Sequence, residues 1–271
     1  MKSLLLGTAL TFSATATLAG GHLCYEGKTL TEGKLTVATG NPAYYPWVMD
    51  DAPESGMGFE AAVAYAVAEE MGIAAEDVVW VRTSFDEAIQ PGAKNFDVNM
   101  QQYSITAERD MMVDFSAPYY SAAMAVLAVG DATSTPATVG DLKTLKWGAV
   151  GTTTAVPKLM ATIEPDSSPL LYGDNADVTA AMQAGQIDAA LFDLPTALFL
   201  SAVVVSDSAI IGQFPADRAE TPDQFGMLME EGNPLKECID DALASLTESG
   251  ALAAIEAQWL QDTTGVPLIA E

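Results

Sequence analysis

Predicted strands alternate with predicted helices along most of the chain. Apolar residues recur at helical spacing from Phe59 to Met71, and Gly72 predicts the end of that helix. Further predicted helices cover 177–184, 195–201, 234–247 and 251–260. Predicted strands cover 34–39, 78–81, 96–100, 123–129, 145–150, 187–192 and 225–229. This alternation predicts an α/β fold with parallel pairing and two units of βαβ type, but it does not define how the units connect.

The charge of the chain disfavours several classes of function. Its 271 residues include 37 Asp and Glu against 11 Lys and Arg, which gives a net charge of −26. Binding to nucleic acids or to anionic membranes requires a basic face, so we expect neither partner. One His, at position 22, and two Cys provide no cluster of metal ligands, and we expect no metal and no cofactor.

Residues 1–19 have the composition of a signal peptide. A positively charged start is followed by an apolar segment at 4–12, and Thr17-Leu18-Ala19 resembles a cleavage site. The apolar segment is too short to span a bilayer, and Leu23 before Cys24 is unfavourable for lipid attachment. We therefore expect an exported protein that is periplasmic, soluble and monomeric.

Export permits a disulfide, and Cys24 and Cys238 are the pair available for it. Closing so long a loop would contribute about 5 kcal/mol in a chain-entropy treatment. Two buried free thiols are the alternative, and the cysteine positions alone leave both open.

Several polar residues lie where predicted strands end. Arg109 follows one strand, Asp193 ends another, and Gly151–Thr154 joins a third to a helix. Open α/β sheets bind ligands beyond the carboxyl ends of their strands. There a guanidinium suits a carboxylate, an aspartate suits an ammonium, and a helix N-terminus suits an anion. The structural alternatives are that Arg109 forms an ion pair at the surface, and that Asp193 and the turn Gly151–Thr154 cap helices.

A series of short motifs extends over about residues 34–262. The most specific is Ser104-Ile105-Thr106 with Glu108-Arg109, and the segment from Val113 to Tyr120 follows it directly. The other motifs are Leu35–Thr39 with Pro42–Trp47, Gly58-Phe59-Glu60, Phe96-Asp97-Val98, Gly151–Ala155, and Gly185–Asp188 with Asp193. In these motifs the chain resembles the bacterial extracellular solute-binding proteins of family 3, which deliver polar amino acids to ABC importers.

The resemblance implies a two-lobed periplasmic-binding-protein fold of type II. Each lobe would be a mixed sheet flanked by helices, and two strands would cross the hinge. Lobe I would comprise 20–121 and 217–271, and lobe II would comprise 122–216. Both cysteines then fall in lobe I, which favours the disulfide.

The resemblance also implies a ligand site between the lobes. Arg109 would hold the α-carboxylate of the ligand, assisted by the backbone N–H groups of Ser104 and Thr154. Asp193 would pair with the α-ammonium, helped by the Ser104 hydroxyl and the Gln102 carbonyl. The implied site residues are Asn41, Tyr44, Phe85, Gln102, Ser104, Arg109, Thr153, Thr154 and Asp193.

The residues expected around the ligand side chain are neutral. Tyr44 and Phe85 would flank it, and Asn41 stands where basic-amino-acid binders of the family often carry Asp. Gln101 and Gln102 would add neutral hydrogen-bonding groups. We therefore expect a zwitterionic amino acid with an uncharged or weakly polar side chain, because a cation would be buried against neutral partners. The acids that could supply a charge there instead are Glu60, Asp50 and Asp51.

Three functions are compatible with this resemblance. The first is a non-enzymatic binding protein, whose partners are an amino acid and the membrane permease of an ABC importer. The second is a cyclohexadienyl or arogenate dehydratase on the same scaffold, which needs a general acid in the cleft. Glu60 and Asp86 are not obvious candidates for that acid. The third is a ligand-sensing partner of a separate receptor. We expect the first.

Overall fold

The computed structural model describes residues 23–216, 223–260 and 265–270. The expected signal peptide 1–19 and His22 lie outside the described residues. Among the helices in these ranges, none combines the length and apolar character needed to cross a bilayer. The same ranges contain no group of three or more His, Cys, Asp or Glu side chains placed to hold a metal ion.

The first sheet is built from strands β1 (Leu35–Thr39), β2 (Val78–Arg82), β3 (Val98–Asn99), β4 (Asp114–Phe115) and β12 (Leu228–Met229). Their order is β2-β1-β3-β12-β4. Strand β1 is parallel to β2 and β3, whereas β12 is antiparallel to β3 and β4.

The second sheet is built from strands β6 (Met124–Val129), β7 (Trp147–Val150), β8 (Leu170–Tyr172), β9 (Ala189–Asp193) and β10 (Ser208–Phe214). Their order is β10-β6-β9-β7-β8. Strand β7 is parallel to β8 and β9, but β6 is antiparallel to β9 and β10. Both sheets are therefore mixed, as the family resemblance implied. The parallel pairing expected from the alternation alone holds only for part of each sheet.

Two short strands connect the sheets. Strand β5 (Tyr120–Ala122) leads out of the first sheet, and β11 (Asp223–Phe225) leads back to it. They pair antiparallel, with Tyr120 opposite Phe225. The predicted single strand 225–229 is instead divided between β11 and β12, because the chain changes its pairing partner at Gly226.

Helices α1 (Phe59–Met71), α2 (Phe85–Ala88), α7 (Lys236–Glu248) and α8 (Ala251–Trp259) pack with the first sheet. Helices α3 (Val139–Leu142), α4 (Ala155–Lys158), α5 (Asn175–Gln183) and α6 (Leu194–Phe199) pack with the second. We call the first sheet with its helices lobe I, and the second sheet with its helices lobe II. The lobe boundaries 20–121, 122–216 and 217–271 stay predictions.

Helix α1 has the bounds that its apolar spacing predicted, 59–71. Its face toward β1 and α7 is apolar, and Phe59, Val63 and Val67 are buried there. Gly58 precedes the helix with φ at 105°, and a Cβ atom at this position would lie 2.5 Å from the carbonyl oxygen of Trp47. The start of α1 therefore requires glycine.

Cys24 and Cys238 form a disulfide, with their Cα atoms 5.8 Å apart. The bridge joins the segment before β1 to the first turn of α7, within lobe I. Of the two states that the cysteine positions left open, the structure contains the bridged one.

The C-terminal residues 265–270 lie against lobe II. The N–H of Gln213 donates to the carbonyl of Pro267 at 2.9 Å, and the N–H of Val139 donates to the carbonyl of Ala270 at 2.9 Å. The segment 217–271, which was expected in lobe I, thus also makes contacts with lobe II.

Candidate ligand-binding cleft

A cavity of about 320 Å³ lies between the two lobes. Its walls are the loops that follow β1, β2 and β3 in lobe I and those that follow β7, β8 and β9 in lobe II. These are the carboxyl ends of the strands, where open α/β sheets bind their ligands. The volume suits a small molecule. All nine residues that the family resemblance implied line this cavity.

Arg109 lies at one end of the cleft and contacts both lobes. Its Nη1 donates to the carbonyl of Ser104 at 2.9 Å, and its Nη2 donates to the carbonyl of Thr152 at 2.8 Å. The guanidinium carbon lies 5.4 Å from the ring centroid of Phe85. The residue is 6% exposed, so Arg109 is not the exposed partner of a surface ion pair. A guanidinium has five N–H donors, and the remaining ones can serve a carboxylate.

A chain of hydroxyl groups lies beside Arg109. The hydroxyl oxygens of Ser104 in lobe I and Thr154 in lobe II are 3.4 Å apart. The Thr154 hydroxyl also donates to Oδ2 of Asp223 at 3.1 Å. The other oxygen of Asp223 is buried and has no hydrogen-bond partner in the described part of the chain. Burial lowers the pKa of Arg109, while the Asp223 carboxylate opposes this change.

Asp193 ends β9 and caps helix α6. Its Oδ1 accepts a hydrogen bond from the N–H of Thr196 at 3.0 Å. Burial raises the pKa of Asp193 to about 6, and hydrogen bonds from Thr196 limit this rise. The capping role and a role in the cleft coexist, because the carboxylate has two oxygens and the cap uses one.

Glu60 is a buried carboxyl group that lines the cleft, and it is one of the three acids that the sequence analysis considered for the ligand side chain. It accepts hydrogen bonds from the N–H of Gln102 at 2.8 Å, from the amide nitrogen of the Gln102 side chain, and from the Tyr119 hydroxyl at 2.5 Å. Burial raises the pKa of Glu60 to about 7, and the nearby Asp193 contributes to the rise. Gln102 has φ at 54°, which is uncommon for a residue with a side chain and turns its N–H toward Glu60.

The two glutamines are already engaged inside the protein. The amide nitrogen of Gln101 donates to Oδ1 of Asn99 at 3.0 Å and to the carbonyl of Thr83 at 3.4 Å. That of Gln102 donates to Glu60. The Gln101 amide thus uses both of its N–H donors inside the protein, whereas the Gln102 amide uses one of two, and the expected contact of these amides with a polar ligand tail stays a prediction.

The cavity is also lined by Asn41 and Tyr44 from lobe I and by Asp174 from lobe II. Asp51 lies close by, and its Oδ1 accepts from Nη1 of Arg82 at 2.5 Å. Arg82 thus pairs with an acid outside the cavity lining. Burial, together with Asp174 and Asp51, raises the pKa of Tyr44.

Asp174 and Asp223 line the cleft but were not predicted as site residues. Asp174 caps α5, its Oδ1 accepting from the N–H of Asp177 at 2.8 Å, so its sequence context is that of an ordinary helix cap. Asp223 lies on the crossing strand β11, which pairs with β5. Trp47 and Glu60 also line the cleft; both lie in motifs of the family resemblance, and Glu60 was one of the acids considered for the ligand side chain.

Comparison with known proteins identifies similar folds and sequences. The L-cystine-binding protein TcyJ of Escherichia coli K12 is 28% identical over 204 residues, which cover 74% of this chain and 73% of that protein. The structure of an ancestral arginine-binding protein bound to glutamine superimposes with a TM-score of 0.69 at 24% identity, covering 86% of this chain and 100% of that one. An ancestral amino acid-binding protein, AncCDT-1, a precursor of cyclohexadienyl dehydratase, gives a TM-score of 0.66 at 25% identity, covering 84% and 95% of the two chains.

Residues 35–262 match the family described as bacterial extracellular solute-binding proteins, family 3. The matched range contains both sheets, both crossing strands and all nine implied site residues. The two-lobed fold that the motifs implied is also the fold of the similar structures. The chain belongs to the bacterial extracellular solute-binding proteins of family 3.

Proposed function

We propose that the protein is a periplasmic amino-acid-binding protein that passes its ligand to the membrane permease of an ABC importer. The observation that carries the proposal is the position of Arg109 and Asp193 on one small cavity between the lobes. A zwitterion needs one cation, one anion and walls that exclude water. Either charge left unpaired in such a cleft would cost several kcal/mol, so the pair favours a ligand that bears both charges.

In the proposed complex the α-carboxylate lies at the Arg109 end. The free N–H groups of its guanidinium, with the backbone N–H groups of Ser104 and Thr154, would bind the carboxylate oxygens. The α-ammonium lies toward Asp193, with the carbonyl of Gln102 as a further acceptor. The ring of Phe85, which already lies against Arg109, would cover one face of the ligand.

We propose that the side chain of the ligand is uncharged or weakly polar. Asn41, which lines the cleft, offers no charge to the side chain of the ligand. Two of the acids that could have supplied one have other partners, since Asp51 pairs with Arg82 and Glu60 accepts from Gln102 and Tyr119. A neutral side chain leaves no charge buried without a partner.

A cationic side chain is a second candidate, and one observation favours it. Asp174 lines the same cavity from lobe II, and its charge contributes to the raised pKa of Tyr44. Asp174 has one oxygen in the α5 cap, which leaves the second for a ligand. Asp174 is exposed, so its attraction for a cation is weakened by solvent.

We propose binding without catalysis. Glu60 is the cleft carboxyl whose pKa of about 7 would suit a general acid. Both of its oxygens, however, are occupied by Gln102 and Tyr119. Incubation with prephenate and with arogenate, followed by detection of an aromatic product, tests the dehydratase alternative. Turnover would contradict binding alone.

The experiment that tests the proposal is a thermal-shift screen followed by calorimetry. L-Glutamine, L-alanine, L-glutamate, L-lysine, L-arginine and L-cystine are added singly to the purified protein. A ligand that binds only the folded state raises the melting temperature. We expect the largest shift for glutamine or a small neutral amino acid. Lysine or arginine as the tightest ligand would favour the Asp174 alternative, and no shift with any of them would contradict amino-acid binding.

Localisation and delivery follow from the same proposal. The expected signal peptide 1–19 would direct the chain to the periplasm, where the disulfide Cys24–Cys238 can form. The permease of an ABC importer would be the partner that receives the ligand from a monomeric binding protein. A receptor that reads the liganded form is the alternative partner, and uptake of labelled ligand by cells with and without the gene distinguishes the two.

A further inference from the structure

Trp47 makes a hydrogen bond across the two lobes. It belongs to lobe I, is 1% exposed, and packs with its ring centroid 5.9 Å from Phe59, 5.7 Å from Tyr120 and 5.8 Å from Phe225. Its indole N–H donates to the hydroxyl of Thr196 in lobe II at 2.8 Å. A buried tryptophan needs an acceptor for this N–H, but nothing in the packing of its ring requires that acceptor to belong to the other lobe.

Thr196 in turn bonds to the aspartate of the cleft. It lies in the first turn of α6, is 4% exposed, and its N–H donates to Oδ1 of Asp193 at 3.0 Å. The Thr196 side chain also holds down the pKa of Asp193, as a hydroxyl that donates to a carboxylate does. Thr196 therefore joins Trp47, which bonds to its hydroxyl, to Asp193, which bonds to its backbone N–H, and the three residues form a continuous series from lobe I to the cleft. Because a threonine hydroxyl can accept one hydrogen bond and donate another, its proton is available to the Asp193 carboxylate.

We propose that Trp47, acting through the Thr196 hydroxyl, is a positioning residue for the Asp193 carboxylate. The indole N–H fixes the hydroxyl oxygen, which turns the hydroxyl proton toward Asp193. The carboxylate is thereby held in one orientation relative to lobe I, where Arg109 lies. The part of this inference that concerns ligand affinity rests on the proposed function, whereas the hydrogen-bond series itself does not.

The first test needs no ligand. The chain has four tryptophans, and ¹⁵N labelling of their indoles gives one N–H signal for each. Trp47→Phe assigns the signal of interest, and Trp147 is the internal control, because its buried indole N–H donates to the carbonyl of Leu142 at 3.0 Å instead. The signals are followed from pH 4.5 to 7.5.

We expect the Trp47 signal to shift with a midpoint near the Asp193 pKa of about 6 while the Trp147 signal stays constant. Asp193→Asn and Thr196→Val should each abolish the shift. The other titratable groups that face Asp193 are Glu60, Asp223, Tyr119 and Tyr120. Glu60→Gln should therefore leave a shift of the Trp47 signal in place. A Trp47 signal that ignores pH, or that still titrates in Thr196→Val, would overturn the proposal.

The second test measures affinity by calorimetry with the amino acid that gives the largest thermal shift in the wild type. Loss of one hydrogen bond in the series should weaken binding about threefold to tenfold in Thr196→Val and in Trp47→Phe. The double variant should bind no worse than the weaker single variant, because both changes interrupt the same series.

Matched controls are available in the chain. Thr179→Val removes a buried hydroxyl that bonds only within α5, to the carbonyl of Ala176 at 2.9 Å. Trp80→Phe removes an indole that donates to the Tyr65 hydroxyl, away from the cleft. Both should bind as the wild type does. Wild-type affinity in Thr196→Val, or additive losses in the double variant, would contradict the positioning role. Failure of every amino acid to bind the wild type would instead contradict the proposed function, and the NMR test would still decide the hydrogen-bond series.

Discussion

Replacing Arg109 with alanine should remove most of the ligand affinity and leave the protein folded. Removal of one partner from a buried pair of opposite charges costs about 3–5 kcal/mol. This corresponds to an increase in Kd of about 100-fold to 5,000-fold. Arg109 also bonds to the carbonyls of Ser104 and Thr152, at 2.9 and 2.8 Å. Two such bonds contribute about 1 kcal/mol each, so the melting temperature of the free protein should fall by roughly 4–8 °C.

Arg109→Lys separates the charge from the geometry of the side chain. Lysine keeps the positive charge but has no planar fork, and it cannot reach two carbonyls and a carboxylate at once. We expect its affinity to lie between those of the wild type and the alanine variant. Lys34→Ala is the control for loss of a cation, because Lys34 pairs with Asp77 at an exposed site of lobe I.

Calorimetry with the amino acid that binds the wild type most tightly measures both effects, and circular dichroism establishes that each variant is folded. Near-wild-type affinity in a folded Arg109→Ala protein would refute the placement of the ligand carboxylate at this end of the cleft. An Arg109→Ala protein that does not fold would show that the bonds to Ser104 and Thr152 contribute more than about 1 kcal/mol each to stability. The affinity of Arg109→Lys would then test the placement of the ligand carboxylate.

Four further outcomes are expected. Ligand affinity should fall about tenfold from pH 7 to pH 5, as measured by calorimetry at both pH values. The reason is that burial raises the pKa of Asp193 to about 6 and only its ionised form pairs with an ammonium. Burial raises the pKa of Glu60 from its ordinary value of 4.5 to about 7, so its contribution to stability is fully present below pH 4.5 and is lost as the pH rises to 7. Glu60→Gln should therefore reduce the pH dependence of the melting temperature between pH 4.5 and 7, which thermal unfolding at several pH values measures. A thiol assay on denatured, unreduced protein should detect neither Cys24 nor Cys238, and reduction should lower the free energy of unfolding by up to about 5 kcal/mol. Gly58→Ala should destabilise the protein by about 2 kcal/mol or more in urea unfolding, because its φ of 105° and the nearby backbone exclude a Cβ atom.

Local patterns in the sequence were sufficient to predict most helices and strands. Helix α1 follows from its apolar spacing and its terminal glycine, both of which are local. Whether two strands pair parallel or antiparallel cannot be predicted from the local sequence. The apolar run of β6 is covered on both faces, and such a run is the same for a parallel or an antiparallel central strand. The division of the segment 225–229 between two sheets also depends on partners far away in the chain.

The residues of the cleft that were predicted share one property. Arg109 and Asp193 follow strand ends, where the fold class alone places ligand groups. Glu60 lies in the first turn of a helix that also contains Glu69 and Glu70, and Asp174 has the context of a helix cap, so neither was assigned a contact with the ligand backbone. Asp223 approaches Thr154 over a separation of 69 residues, which no local pattern records.

In the proposed complex, ligand binding and closure of the lobes would depend on the same groups. Arg109 donates to a carbonyl of each lobe, and the Ser104 and Thr154 hydroxyls meet across the boundary between them. A ligand carboxylate held by Arg109 would therefore add its contacts to bonds that already join the lobes. The unpaired oxygen of Asp223 works in the opposite direction, since burial of a carboxylate oxygen without a donor is unfavourable. Closure around an ammonium offsets part of this cost, whereas closure around a ligand that carries only negative charge would increase it. In the proposed mode of binding, an anionic ligand would thus be disfavoured by the cost of closing as well as by the contacts of the cleft.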